Sequence, residues 1–231
     1  MATFDENKDT LLKWLQIALE LELATIPPYL VALLSIKLPS NREPAELIRS
    51  VMIEEMLHLA LVANVLNSVG GKPQLNANLI PKYPLRMKFE GKPFHDRDFP
   101  IDLAPFGKAT IETFLKIEEP QSVAAGSAFQ LEINVPALTI GQFYANIGTK
   151  LEELEHDSPG KVFVGDEKRQ ILADYYWSGG GRIVPVKNLA TAKAALSIVI
   201  TQGEGSWTPS GQAEAHFGET FAMATTIVLR K

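Results

Sequence analysis

Two long stretches near the N-terminus repeat their apolar residues at the spacing of an α-helix, and this pattern limits the possible folds more than any other. The first stretch covers residues 8–36 and the second covers residues 43–69. Residues three and four positions apart share one face of a helix, so each stretch buries one apolar stripe against other helices. Two further stretches, 137–156 and 189–229, show the same spacing, the last with a break near 203–210. The sequence therefore predicts a mainly α-helical protein with a four-helix core.

Prolines indicate where the helices are interrupted or connected. Pro27 and Pro28 lie inside the first stretch, and because each removes a backbone donor we expect them to kink or break that helix. Residues 72–136 are rich in proline and connect the second and third stretches as a long crossover, with a short helix expected at 110–117. No shift in composition divides the chain, so residues 1–231 are predicted to form a single domain.

Composition excludes several classes of function. The chain has 22 Lys and Arg against 27 Asp and Glu, a formal charge of −5, which gives no basic excess for nucleic acid or anionic lipid. It contains no cysteine, so a metal must be held by carboxylates and imidazoles. The first ten residues are polar and acidic and no apolar run resembles a membrane span. We therefore predict a cytoplasmic protein without a membrane partner.

Two carboxylates lie in the middle of the apolar stripes. At about 100° per residue on a helix, Glu22 faces the same way as the first stripe and Glu55 the same way as the second, whereas Glu54 lies at an edge. His58 follows Glu55 by one turn, which is the Glu-x-x-His spacing of carboxylate metal centres in helical bundles. A buried carboxylate costs several kcal/mol unless a cation or a hydrogen-bond network compensates its charge. Glu22, Glu55 and His58 are therefore candidate metal ligands.

The same burial has a second explanation. A buried glutamate can pair with a lysine or arginine, and the crossover offers four such residues, which are Arg86, Lys88, Arg97 and Lys108. The sequence alone leaves the metal site and the ion pair both open.

Several segments together carry a family resemblance. LELATIPPYL, IEEMLHLALVANVLNSVGGKP, TIGQFY, ITQGEGS and HFGETF occur in this order over nearly the whole chain. They resemble the ferritin-like domain of the iminophenyl-pyruvate dimer synthases, enzymes of violacein- and rebeccamycin-type pathways. The resemblance implies a ferritin-like four-helix bundle with the long crossover between helices 2 and 3. It also implies iron, or another divalent metal, bound by Glu22, Glu55 and His58.

The resemblance extends to the other two helices, where this sequence departs from the family pattern. His216 matches a family ligand, and Glu204 matches a family position that could supply a carboxylate, with Glu219 as a less favoured substitute. The family usually has glutamate where this chain has Gln142 and Ala213. Two close divalent cations repel each other strongly without enough negative charge. We therefore expect one metal per chain unless Glu204 or Glu219 replaces the missing charge.

The position of Gln142 is ambiguous in the sequence. The apolar stripe of the third helix is formed by Ile140, Tyr144, Ile147 and Leu151, and Gln142 falls on the other side. Either this helix is buried all round, so that Gln142 lines the cavity with Glu219, or Gln142 is not a site residue.

Three functions remain compatible with these features. The first is a non-haem iron oxidoreductase that oxidises or couples a small amino-acid-derived substrate in secondary metabolism. The second is a metal-binding or storage protein without turnover, and the third is a metal-free descendant that reuses the cavity. A homo-oligomer is compatible with each of them.

Overall fold

A computed structural model describes residues 3–76, 80–86, 88–89, 100–117, 129–130, 140–176 and 179–204. Within these ranges there are five α-helices, which are α1 (Phe4–Ser35), α2 (Arg42–Ser68), α3 (Lys108–Ile117), α4 (Ile140–Asp157) and α5 (Leu189–Glu204). The predicted helices at 8–36, 43–69 and 137–156 are thus present with small changes of boundary. The fourth is described only as far as Glu204, so the predicted break near 203–210 falls mostly outside the described residues.

The four long helices α1, α2, α4 and α5 form a closed bundle. Helix α1 packs on α2 and α4, α5 packs on the other sides of α2 and α4, and the apolar stripes meet in one core. Leu11, Leu15 and Leu19 of α1 and Leu61 of α2 are completely buried there. This arrangement confirms the mainly helical four-helix core, because each stripe faces the centre of the bundle.

Helix α1 begins earlier than its apolar stripe and continues through both prolines. The Thr3 hydroxyl accepts a hydrogen bond from the Glu6 amide, and the Glu6 carboxylate accepts one from the Thr3 amide. The helix is unbroken at Pro27 and Pro28, so of the kink or break expected there the break does not occur. Pro28 has no N–H to donate to the Ala24 carbonyl. This carbonyl instead accepts a hydrogen bond of 2.7 Å from the Tyr83 hydroxyl.

Replacing Tyr83 with phenylalanine is expected to lower the free energy of unfolding by about 1–3 kcal/mol, because the buried Ala24 carbonyl then loses its partner. Urea denaturation of the wild type and the variant measures this change. Tyr175→Phe is the matched control, since Tyr175 is 82% exposed, and it should change stability little. Equal stabilities of the two variants would contradict this account of α1.

The crossover contains short strands and one helix. Strand β1 (Leu85–Arg86) pairs antiparallel with β3 (Pro100–Ile101), and β2 (Lys88–Phe89) pairs antiparallel with β4 (Phe129–Gln130). The predicted short helix at 110–117 is present as α3. Its Ile111 and Phe114 pack with Tyr29 and Val51 in a second apolar cluster that covers the C-terminal part of α1. Helix α3, within the described part of the crossover, therefore packs against the bundle.

The segment between α4 and α5 is attached to α2 by side-chain amides. Asn64, which is completely buried, donates to the carbonyls of Ile171 and Val184 and accepts from the Ile171 amide. Asn67 donates to the Arg169 carbonyl at 2.9 Å. These bonds fix the backbone at Arg169, Ile171 and Val184 against the helix that carries Glu55 and His58.

By length and composition alone, α1 and α2 could each cross a membrane. The apolar windows of the two helices are 50% and 67% buried within the protein. Such burial is expected of core helices in a helical bundle, so the two helices are weak indicators of a membrane span.

Candidate metal centre

The bundle brings Glu22, Glu55 and His58 together in its interior. Glu22 lies on α1, the other two lie one turn apart on α2, and the exposed fractions of the three side chains are between 2% and 6%. One potential ligand atom from each residue lies within 4.8 Å of the other two. Carboxylate oxygen and imidazole nitrogen are donors that suit iron, manganese or zinc, so this set of residues fits a divalent cation.

Two hydroxyl groups hold one oxygen of each carboxylate. The Thr25 hydroxyl oxygen lies 2.5 Å from Glu55 Oε2 and 2.9 Å from the Glu22 carbonyl oxygen, and its single hydrogen is donated to one of these two acceptors at a time. The Tyr144 hydroxyl, on α4, donates to Glu22 Oε1 through a short hydrogen bond. The other Glu22 oxygen, Oε2, lies 3.4 Å from His58 Nδ1. Thr25 and Tyr144 therefore orient the carboxylates, and sequence reasoning did not assign either residue to the site.

A cavity of about 40 Å³ adjoins this cluster. Among the described residues its other walls are apolar and are formed by Leu21, Ile117, Val199 and Ile200, while Gly141 and Gly203 contribute no side chains. A space of this size accommodates an ion with one or two ligands of the size of water or dioxygen, and it is much smaller than typical pockets for organic ligands.

His58 is surrounded by groups that stabilise its charged form. Burial by itself would lower the pKa of His58, but the hydrogen bond and charge of Glu22, the charge of Glu55 and the Gln202 amide outweigh it and raise the pKa to about 9. The neighbouring Glu54 is partly buried, and this burial raises its pKa to about 7 although the His58 charge acts in the opposite direction.

We expect the metal-free protein to lose stability as the pH rises. A raised histidine pKa stabilises the fold below pH 6.5, and this contribution is lost between 6.5 and about 9. The raised pKa of Glu54 likewise stabilises the fold below pH 4.5, and this stabilisation is lost as the pH rises from 4.5 to about 7. Urea midpoints in EDTA at pH 5, 7 and 9 should therefore decrease. His58→Gln should remove the decrease between pH 7 and 9, and an unchanged decrease in that variant would contradict the assignment.

The remaining predicted site residues belong to the third and the last of the helices predicted from the sequence. Gln142 is exposed on α4 and does not line the cavity, because Tyr144 occupies the inward position on that helix. The exposed position of Gln142 agrees with the apolar stripe of α4, which leaves this residue on the other side of the helix. The side chain of Glu204 lies outside the described residues, together with His216, Glu219 and Ala213.

Of the four basic residues that could pair with the buried glutamates, Lys108 has a described side chain. Lys108 is exposed and lies 3.9 Å from Glu112 on the same helix, so it does not serve the buried cluster. The side chains of Arg86 and Lys88 and the whole of Arg97 lie outside the described residues.

Gln202 of α5 is a further residue at the site that sequence reasoning missed. Its Oε1 lies 3.0 Å from His58 Nε2, and its Nε2 donates to the Gly180 carbonyl at 2.8 Å. The residue falls inside the ITQGEGS segment, two positions before Glu204.

Four packed helices around a buried carboxylate and imidazole cluster define a helical-bundle protein with a candidate metal centre. The ferritin-like family model matches residues 15–223 of the chain. The chain therefore belongs to the ferritin-like family, and the predicted ferritin-like fold is confirmed.

A solved structure supports the same fold. The chain is 26% identical to a ferritin-like protein from Caulobacter vibrioides, with a TM-score of 0.63. The similarity covers 93% of this chain and 71% of that protein. A comparison with curated proteins finds no significant match.

Proposed function

We propose that this protein is a non-haem iron enzyme in which Glu22, Glu55 and His58 hold one iron ion per chain. The observation that carries the proposal is the convergence of three buried ionisable side chains on one point. Even with His216 and Glu204 added from the last helix, five protein ligands leave a position open on a six-coordinate ion, as oxygen or substrate binding requires. Bound iron would supply redox chemistry with dioxygen or peroxide.

The residues of the chain have distinct roles in this proposal. Thr25 and Tyr144 hold one oxygen of each carboxylate, so each carboxylate keeps its other oxygen for the ion. The apolar side chains of the cavity keep bulk water from the centre. His216 and Glu204 are proposed to complete the ligand set from the last helix.

For the substrate, we propose a small amino-acid-derived molecule that is oxidised or coupled in secondary metabolism. This part of the proposal is supported by the resemblance of LELATIPPYL and IEEMLHLALVANVLNSVGGKP to the iminophenyl-pyruvate dimer synthases. The proposed partners are this small molecule and further copies of the same chain in a homo-oligomer. The proposed location is the cytoplasm.

A second candidate is metal binding or storage without turnover. The size of the cavity favours it, because about 40 Å³ accommodates an ion and small ligands but not an organic substrate. A third candidate is a metal-free descendant. The ion pair between His58 and Glu22 favours this one, because it compensates part of the buried charge without a metal.

Oxygen consumption distinguishes the three candidates. The protein is loaded with Fe(II) without oxygen, and dioxygen uptake is then measured with and without a panel of aromatic amino and imino acids. We expect repeated turnover that depends on one of these compounds and is absent in Glu55→Gln. Uptake limited to the oxidation of bound Fe(II) would indicate storage. Failure to retain iron would indicate the metal-free descendant.

A further inference from the structure

The two hydrogen bonds of Gln202 determine which way its amide points. The Gly180 carbonyl can only accept a hydrogen bond, so the group that faces it must be the NH₂ of the amide. The amide oxygen of Gln202 must then face His58 Nε2, at 3.0 Å. The reverse orientation would place two acceptors against each other at Gly180.

This orientation also determines the hydrogen on His58. The Gln202 oxygen can only accept, so His58 Nε2 must carry a hydrogen. In a neutral imidazole the other nitrogen is then free of hydrogen and can bind a metal. That nitrogen, Nδ1, is the one that lies 3.4 Å from Glu22 Oε2.

The Gly180 carbonyl is itself held in place against α2. Gly180 has a φ of +72°, and a Cβ at this position would lie 2.9 Å from the Glu54 Cα, so the turn lies directly on the helix that carries His58. The same segment is fixed to α2 by Asn64 at Ile171 and Val184. The close contact of Gly180 with α2 and the two hydrogen bonds of Gln202 therefore form a closed path from α2 through Gly180 and Gln202 back to His58.

We propose that Gln202 is a positioning residue that holds the His58 ring so that Nδ1 faces Glu22 and Glu55, with the turn at Gly180 fixing the Gln202 amide. The proposal rests on the proposed function in one respect, which is that the ion binds at these residues. Partners that orient metal-ligating histidines commonly change metal affinity by about 10–100-fold when they are removed.

Zinc alone is a suitable probe, since it is diamagnetic and has no redox chemistry. We expect Gln202→Leu to weaken Zn²⁺ binding about 10–100-fold. Gln202→Glu keeps the acceptor for Nε2 but loses the donor to the Gly180 carbonyl, so its Zn²⁺ affinity should lie between those of the wild type and Gln202→Leu. Gln16→Leu is the matched control, because Gln16 of α1 bonds to the Gln74 backbone away from the cavity, and its zinc affinity should be unchanged.

Nitrogen NMR of ¹⁵N-histidine protein gives a readout that a loss of stability would not imitate. In wild-type protein with zinc, the His58 signal, assigned by its absence in His58→Gln, should show Nδ1 bound to the metal and a slowly exchanging hydrogen on Nε2. Gln202→Leu should show fast exchange at Nε2 and a fraction of rings bound through Nε2. Equal zinc affinity and equal exchange in Gln202→Leu and Gln16→Leu would overturn the proposal.

The NMR measurement also separates this proposal from the proposed function. If wild-type protein binds no zinc, the metal site fails, and the exchange rate of the Nε2 hydrogen in metal-free protein still decides whether Gln202 holds the ring. Slow exchange in the wild type with fast exchange in Gln202→Leu would support the positioning role. Fast exchange in both would refute it.

Discussion

Glu55→Gln is expected to weaken the binding of Fe(II) or Zn(II) by at least about 100-fold, equivalent to about 3 kcal/mol. The change removes the charge of one of the three converging ligands while the amide oxygen still accepts from the Thr25 hydroxyl. The fold should therefore be retained, which far-UV circular dichroism would show. Metal affinity is measured by competition with a chelator of known affinity.

Glu54→Gln is the matched control for this experiment. Glu54 is the next residue along α2 but is not one of the converging groups. Its replacement should change metal affinity by less than about threefold, since it removes a charge near the site but no ligand. Equal losses in both variants would contradict the assignment of Glu55 as a ligand.

Asn64→Ala is expected to cause the largest loss of stability among the polar substitutions discussed here, about 3–5 kcal/mol. It removes two hydrogen bonds to carbonyls and one from an amide, and each buried backbone group left without a partner costs about 1–3 kcal/mol. Urea denaturation in EDTA measures the effect without a contribution from bound metal.

Asn67→Ala provides the comparison, because Asn67 lies one turn later and donates to a single carbonyl, that of Arg169. Its expected cost is about 1 kcal/mol. If the two variants lose the same stability, the attachment of the backbone at Ile171 and Val184 through Asn64 is not as strong as the hydrogen bonds indicate.

The sequence was sufficient to predict that the two glutamates of the candidate site face the interior of the bundle. Glu22 and Glu55 lie on apolar stripes, and a charged residue on such a stripe must face the interior, so their convergence followed from helical geometry. The structure brings them together with His58, whereas their role as metal ligands stays a prediction. The start of α1 was missed by the prediction at residue 8, although Thr3 and Glu6 have the spacing of a capping box, which an apolar pattern does not detect.

The groups that orient the ligands were harder to predict. Tyr144 was recognised as part of an apolar stripe, but nothing in its spacing shows that its hydroxyl meets Glu22, which is 122 positions away. Gln202 and Gly180 meet His58 and Glu54 only because a loop folds back onto α2. Such contacts depend on tertiary packing, for which helical periodicity carries no information.

The absence of a break at Pro27 and Pro28 has the same origin. Proline inside a helix leaves a carbonyl without its usual partner, and from local rules alone this favours a break. The Tyr83 hydroxyl, 59 positions away, supplies the missing donor to the Ala24 carbonyl. A distant residue of the crossover thus removes a cost that the local sequence predicts.

The central claim is that Glu22, Glu55 and His58 hold a single divalent cation, and diffraction at the iron absorption edge tests it most directly. Crystals of the protein are soaked with Fe(II) without oxygen, and an anomalous difference map is calculated. The account predicts one peak per chain, within coordination distance of all three side chains. The absence of a peak at this position, or two peaks there, would contradict it.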